Sequence, residues 1–263
     1  MNKLYKCIKQ CIKHYFLHNL LVYIRLTRNF VCCIIENMET IITPIGYIRS
    51  DFEEKFGIPR QSGRAPSLTA RVVLYPKYAS EEAFRGIESF SHLWLLFDFS
   101  ATRSAGWSPT VRPPRLGGNK RVGVFASRSP FRPNHIGLSC VKLLSVERGE
   151  AGIELLVSGA DLLDGTPVFD IKPYLPLADC IENATGGYSE QGERHRLKVE
   201  CSEALLSQIP KEKRAGLLEC LAEDPRPAYK NEPERVYGMR FSGFEIRFTV
   251  KEEILTVIEI IPA

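Results

Sequence analysis

From Gly106 to Gly137, ten of 32 residues are glycine or proline, and no long helix can run through such a stretch. Proline removes a backbone donor, and glycine raises the entropy cost of any regular element. The middle of a 263-residue chain is therefore committed to loops and very short strands. On both sides the sequence keeps to strand-length segments. Residues 40–49 and "LTARVVLYP" (68–76) are rich in β-branched residues and read as strands. "HLWLLFDF" (92–99) is a continuous apolar run of strand length, expected to be buried on both faces or nearly so. "RVGVFAS" (121–127) fits a short strand inside the loop-rich run. "GLSCVKLLSVER" (137–148) and "AGIELLVSGADLL" (151–163) alternate around a turn at Gly149–Gly152, and "GTPVFDIKPYLP" (165–176) follows. Only "SEEAFRGIESF" (80–90) reads as a helix in this half, N-capped by Ser80 with acids in its first turn. Short strands, turn chemistry and almost no helix predict a mainly β chain built on an antiparallel β-barrel.

The pattern changes after about residue 178. Residues 179–196 are polar, contain Gly186–Gly187 and read as a linker. "SEALLSQIPKEKRAGLLECLAED" (202–224) has helical periodicity broken at Pro210, and "RVYGMRFSGFEIRFTV" with "EEILTVIEII" reads as a hairpin. The expected division is an N-terminal extension at 1–37, a barrel domain at 38–178, the linker, and a small α+β domain at 197–263. The extension holds six Lys/Arg against the single acid Glu36, and four of the eight cysteines. Arg25 and Arg28 interrupt its apolar run, so no membrane span is expected there. The other cysteines, Cys140, Cys180, Cys201 and Cys220, have no CxxC spacing, which points to reduced thiols and a cytoplasmic protein with no metal site.

Charge is the strongest functional signal. Between Phe99 and Val146 there is no Asp or Glu in 48 residues, while eight basic side chains occur: Arg103, Arg112, Arg115, Lys120, Arg121, Arg128, Arg132 and Lys142. A purely positive, proline-stiffened segment fits a phosphate or polyanion partner, because its cations displace counterions and are pre-organised. Trp107 and Phe131 lie within it, and aromatic rings among arginines suit unstacked bases. Asp161, Asp164 and Asp170 cluster in "DLLDGTPVFD", where they could bind a metal, serve as bases, accept from ribose hydroxyls or be simple turn residues. His92 opens an apolar run and reads as a core histidine, whereas His135 sits in the basic loop. No GxGxxG, GxxxxGK[ST], HExxH or GxSxG is present, which removes support for the corresponding cofactor, nucleotide and hydrolase chemistries.

"EKFGIPRQ", "GIESFSHLWLLF", "GWSPTVRPPRLGGNKRVGVFASRSPFRPNHIGLS" and "DLLDGTPVFDIKPYLP" resemble the TsaA-like family of tRNA methyltransferases, from about Ile41 to Pro176. A second matching stretch is "DPRPAY…YGMRFSGFEIRF". The resemblance implies a barrel-type, homodimeric S-adenosylmethionine (SAM) enzyme. Its implied reaction is N6-methylation of N6-threonylcarbamoyladenosine, the base 3′ of the anticodon in a threonine tRNA. Carried over by motif, the cofactor contacts would be Pro59, Arg60 and Gln61 from "PRQ", Arg128 from "SRS", and Leu138 after "IG". Ser100 and Ala101, after the apolar strand, and the loop Asp161, Leu162, Leu163, Asp164, Gly165 and Thr166 would complete the set. Relatives often carry His where this chain has Ser100, and Pro where it has His135. Asp164 or Asp170 is expected as base or ribose partner, and Arg132 or Arg128 as a carboxylate clamp. Arg112, Arg115, Lys120 and Arg121 are expected to grip tRNA phosphates. Two rival readings are a non-catalytic SAM or nucleotide sensor and a tRNA-binding module without cofactor.

Overall fold

The computed structural model describes residues 13, 39–113, 116, 120–150, 152–190, 196–226, 232 and 234–263. The expected N-terminal extension therefore lies outside the described residues, apart from Lys13. The chain is mainly β, with antiparallel sheets and few helices.

Six strands form the first sheet: β1 (Gly46–Arg49), β2 (Thr69–Leu74), β3 (His92–Asp98), β6 (Ile136–Gly149), β7 (Gly152–Ser158) and β8 (Pro167–Pro173). Their hydrogen-bonded order is β1-β2-β7-β6-β3-β8, every neighbouring pair antiparallel. β8 pairs back onto β1 through Gly46–Val168 and Tyr47–Pro167, so the ladder ends where it starts. Two of the inserted pieces are β4 (Thr110–Val111) and β5 (Val122–Gly123), which pair only with each other. Among the described residues of the glycine- and proline-rich run, the other regular structure is 3-10 turns such as Val124–Ala126 and the first residues of β6.

β3 departs from expectation. Its burial alternates, with Leu93, Leu95 and Phe97 buried, while Trp94 is half-buried and rests against Tyr174 outside. One face of the strand fills the ring and the other carries apolar residues outward, so a continuous apolar run did not mean two buried faces. The 80–90 segment is also shorter than one helix: α1 (Glu81–Phe84) stops before Gly86, which sits at φ 89, and a 3-10 turn follows. Phe84 from α1 joins the ring core with Ile48, Val72, Leu95, Leu155 and Val168.

The second sheet has the order β10-β11-β12-β9, from β9 (Lys198–Glu200), β10 (Tyr237–Phe241), β11 (Phe244–Lys251) and β12 (Ile254–Pro262). The expected hairpin is thus three strands. Ser242 and Gly243 both take positive φ, 51 and 78, which makes the tight turn between β10 and β11. β9 adds in parallel to β12 and was not anticipated. Of the remaining helices, α2 (Pro176–Asp179) follows β8, whereas α3 (Glu203–Leu206) and α4 (Lys211–Ala222) fall on either side of Pro210.

A second core unites this sheet and α4 with residues from the segment before β2. Phe52, Ala65 and Leu68 pack with Leu217, Leu221, Met239, Phe241 and Phe248. Phe52 meets Phe241 edge to face at 5.7 Å. Polar contacts reinforce the join: Lys213 pairs with Asp51 at 2.8 Å, Glu219 accepts from the backbone and hydroxyl of Ser67, and Arg64 pairs with Glu223. The loop "DFEEKFGIPRQSGRAPS" therefore threads between the two cores. At Gly57, φ is +93 and a Cβ would come within 2.1 Å of the Met239 sulfur, so only glycine lets the loop lie this close to the sheet.

Candidate active site

Where β3 ends and β6 begins, a cavity of about 550 Å³ opens. Four stretches converge on it. The loop before β2 supplies Lys55, Ile58, Pro59, Arg60 and Gln61, and the turn after β3 supplies Ser100, Ala101 and Thr102. The basic loop supplies Ser127, Arg128 and Arg132, and the β7–β8 connection supplies Asp161, Leu162, Leu163 and Thr166. Phe97, Phe99 and Leu138 give it apolar walls. Phe97 can lie across the start of β6 because its partner is Gly137, where a Cβ would meet the ring at 2.2 Å.

The walls are cross-braced. Arg128 Nη1 donates to Gln61 Oε1 at 2.9 Å, joining two motifs 67 residues apart. Lys55 Nζ donates to the Ala101 carbonyl at 2.6 Å, and Arg60 Nη2 donates to the Arg226 carbonyl at 3.2 Å. Arg132 Nη1 donates to the carbonyls of Val124 and Ser127, at 3.1 and 2.7 Å, and so holds its own loop in shape. These four cations spend hydrogen bonds on neutral oxygens, and among the described residues none forms an ion pair. Their charge is left for an anionic ligand.

Two carboxylates line the same space. Asp98, 4% exposed, ends β3 and is gripped by Arg103 through Nη2 at 2.6 Å and Nε at 3.2 Å. Asp161 accepts from the Ser139 hydroxyl at 2.5 Å. Burial pushes the Asp161 carboxyl above its ordinary value, while Ser139, two backbone N–H groups and Arg128 pull the other way.

Twelve expected cofactor or catalytic residues are brought together here: Pro59, Arg60, Gln61, Ser100, Ala101, Arg128, Arg132, Leu138, Asp161, Leu162, Leu163 and Thr166. Asp164, Gly165 and Asp170 are not among the lining residues. Asp164 instead accepts from the Ser50 backbone N–H at 2.9 Å, and Gly165, at φ 73, donates to the Ile48 carbonyl. This Asp-Gly pair is a turn that ties β1 to the β7–β8 connection. Asp170 pairs with Lys172 at 2.8 Å and caps the Ile171 N–H. The expectation of a base at Asp164 or Asp170 thus meets a geometric obstacle, since both carboxylates are turned to other partners. Lys55 and Asp98 were missed by sequence reasoning. Lys55 stands in the quoted "EKFGIPRQ" stretch, whereas nothing marked the acid ending an apolar strand as a wall residue.

Beyond the cavity, Arg112, Lys120 and Arg121 are exposed near the β4–β5 pair, with Arg121 Nη1 donating to Thr110 Oγ1 at 2.8 Å. Arg115 lies outside the described residues. His135 is half-buried, its carbonyl accepting from Phe99 N and its Nε2 buried with no hydrogen-bond partner among the described residues.

A cofactor with an adenine, a ribose, a sulfonium and an amino-acid end fits these walls. Phe97, Phe99 and Leu138 suit the flat base, Arg60 or Arg128 the carboxylate, and Asp161 a hydroxyl or the sulfonium charge.

Residues 47–180 match the tRNA-methyltransferase O N-terminal domain, and residues 194–263 the TrmO C-terminal domain. A tRNA (adenine(37)-N6)-methyltransferase of Escherichia coli is 44% identical over 216 residues, 79% of this chain and 92% of that protein. A Pseudomonas aeruginosa protein whose name describes an S-adenosylmethionine-dependent methyltransferase is 46% identical over 215 residues, 79% and 91% of the two chains. The crystal structure of TrmO from Pseudomonas aeruginosa superposes with a TM-score of 0.69 at 38% identity, covering 86% of this chain and 98% of that one. The chain belongs to the TrmO family of tRNA methyltransferases.

Proposed function

We infer that the chain is a SAM-dependent tRNA methyltransferase that modifies N6 of the adenine at position 37. The observation that carries the reading is one cavity in which the PRQ loop, the Arg128 loop and Asp161 meet beside an acid-free basic rim. The substrate base is N6-threonylcarbamoyladenosine in a threonine tRNA, and the working unit is a homodimeric, cytoplasmic protein whose six-stranded ring is a TsaA-like barrel. Among the described residues, no helix is long and apolar enough to cross a membrane.

SAM supplies an electrophilic methyl group when bound. The residues around it do the positioning, which dominates a displacement that needs little covalent help. Arg60 and Arg128 take up a carboxylate, Pro59 and Gln61 shape the loop beside it, and Ser100 and Ala101 present a polar turn. Leu138, Leu162, Leu163 and Thr166 exclude water from the reacting centre. Asp161 accepts the N6 proton, because it is the lining carboxylate that forms no ion pair among the described residues, and its raised pKa strengthens it as a base. Arg132 keeps the basic loop in register, and Arg112, Lys120 and Arg121, with Arg115, contact tRNA phosphates.

The test is direct. Purified protein with labelled SAM is given tRNA with or without the threonylcarbamoyl group, then digested and read by mass spectrometry. Methylated nucleoside only from the modified tRNA is expected. SAM binding with no transfer to either tRNA would instead favour a sensor.

A further inference from the structure

We propose that Phe125 is the stacking platform for an unpaired nucleobase of the RNA substrate, one guanidinium away from the cavity. The inference rests on the tRNA reading given above. Phe125 is 74% exposed, the most exposed ring among Trp107, Phe125 and Phe131 in the acid-free segment. It sits on the 3-10 turn Val124–Ala126, whose Val124 is buried and whose backbone donates to the Pro109 carbonyl. The ring is not loose. The Arg132 guanidinium lies 5.6 Å from its centroid, and Arg132 is itself fixed by hydrogen bonds to the carbonyls of Val124 and Ser127. Arg132 also lines the cavity, so the same side chain touches the reaction chamber on one side and the ring on the other.

A phenylalanine in water forgoes the gain of burial, and holding it there in one orientation adds entropy cost. A base stacked on its open face recovers that gain, and the neighbouring cations tolerate the phosphates that accompany a base. Arg112, Lys120 and Arg121 are exposed in the same segment, and no carboxylate from Phe99 to Val146 opposes them. The base that stacks is therefore next to the one that enters the cavity. This separates two tasks: Asp161 and Arg128 act on the target nucleotide, while Phe125 reads the presence of an unpaired neighbour and helps present the target.

Three variants test this: Phe125→Ala, Phe125→Leu and Phe125→Trp, assayed with substrate tRNA. Alanine and leucine should each raise KM for tRNA about tenfold with kcat within about twofold, the scale of one lost base–aromatic stack. SAM affinity by calorimetry should not move. Tryptophan should restore KM and show more fluorescence quenching on tRNA addition than the wild type, which already carries Trp94 and Trp107. Rescue by leucine would mean that apolar bulk suffices, and unchanged KM in every variant would mean no contact; either overturns the inference. So would a change in particle size of Phe125→Ala without tRNA, which would make the ring a subunit contact. Methyl transfer with an indifferent Phe125 sinks this inference alone, whereas no transfer by the wild type takes down the reading of the cavity as well.

Discussion

At the floor of the cavity, Asp98 is clasped by Arg103 and Asp161 by the Ser139 hydroxyl, so each carboxylate has a protein partner before any ligand arrives. At the rim, Lys55, Arg60, Arg128 and Arg132 hydrogen-bond to carbonyl or amide oxygens, and among the described residues none of them forms an ion pair. The floor sits on strands and buried turns, with Ser139 on β6 and Asp98 closing β3. The rim sits on loops braced by their own side chains. The two carboxylates are thus set at a strand end and in a buried connection, whereas the cations are set on stiffened loops. The two regions should therefore fail differently when altered.

The largest effect is expected at the floor. Asp161→Asn should lower kcat by about 10² to 10⁴, the usual span for loss of a general base, and should remove the limb of the pH–rate profile that reports it. The same variant carries a stability signature. Burial raises the folded-state pKa of Asp161 above its unfolded value. Its contribution is therefore complete below the unfolded value and lost as pH rises through the folded one. Denaturant melts at about pH 4 and about pH 8 should show the wild type losing ground to Asp161→Asn as pH rises. A constant difference would contradict the assignment.

At the rim, Arg128→Ala removes both a cavity cation and the tie to Gln61. A drop of about a hundredfold in kcat/KM is expected, with weaker SAM binding in calorimetry. Unchanged SAM affinity would move Arg128 from cofactor to RNA.

Arg103→Ala should behave as a floor variant although Arg103 is itself 62% exposed, because it strands a buried carboxylate. It should cost about 1–3 kcal/mol in urea unfolding. Asp98→Asn should cost less, which separates the penalty of an unpaired charge from the worth of the pair. The smallest effects are expected from Lys120→Ala and Arg121→Ala. Each should leave kcat alone and lower the slope of log Kd for tRNA against log salt by about one. A slope that stays at the wild-type value would show that these side chains do not touch phosphate.

Much of the cavity could be read from the chain before its structure. The Pro59–Gln61 and Arg128 motifs do converge with Asp161, Leu162, Leu163 and Thr166, because each lies in a connection at the same end of a ring of short strands. What stayed hidden depended on tertiary register. Nothing in "DLLDG" distinguishes Asp161, which faces the cavity, from Asp164, which accepts from Ser50 in a turn. Asp98 continued an apolar run and gave no sign of lining a chamber. The β10–β11 turn was missed because Ser242 takes a left-handed conformation that sequence preference assigns to Gly, Asn or Asp. The stretch "DFEEKFGIPRQSGRAPS" has the glycine and proline of a loop and gave no sign of its core role, since its anchors are isolated apolar residues that pack against strands far along the chain. Phe125 resembled any apolar residue of a short strand until its exposure was known.

A crystal structure of the protein soaked with SAM, or with its demethylated product, tests the central arrangement most directly. The donor should lie between Arg128 and Asp161, its amino-acid end toward Arg60 and Arg128 and its sulfur facing the basic rim. Density for the donor elsewhere on the molecule, or an empty cavity at a concentration that saturates binding in solution, would contradict it.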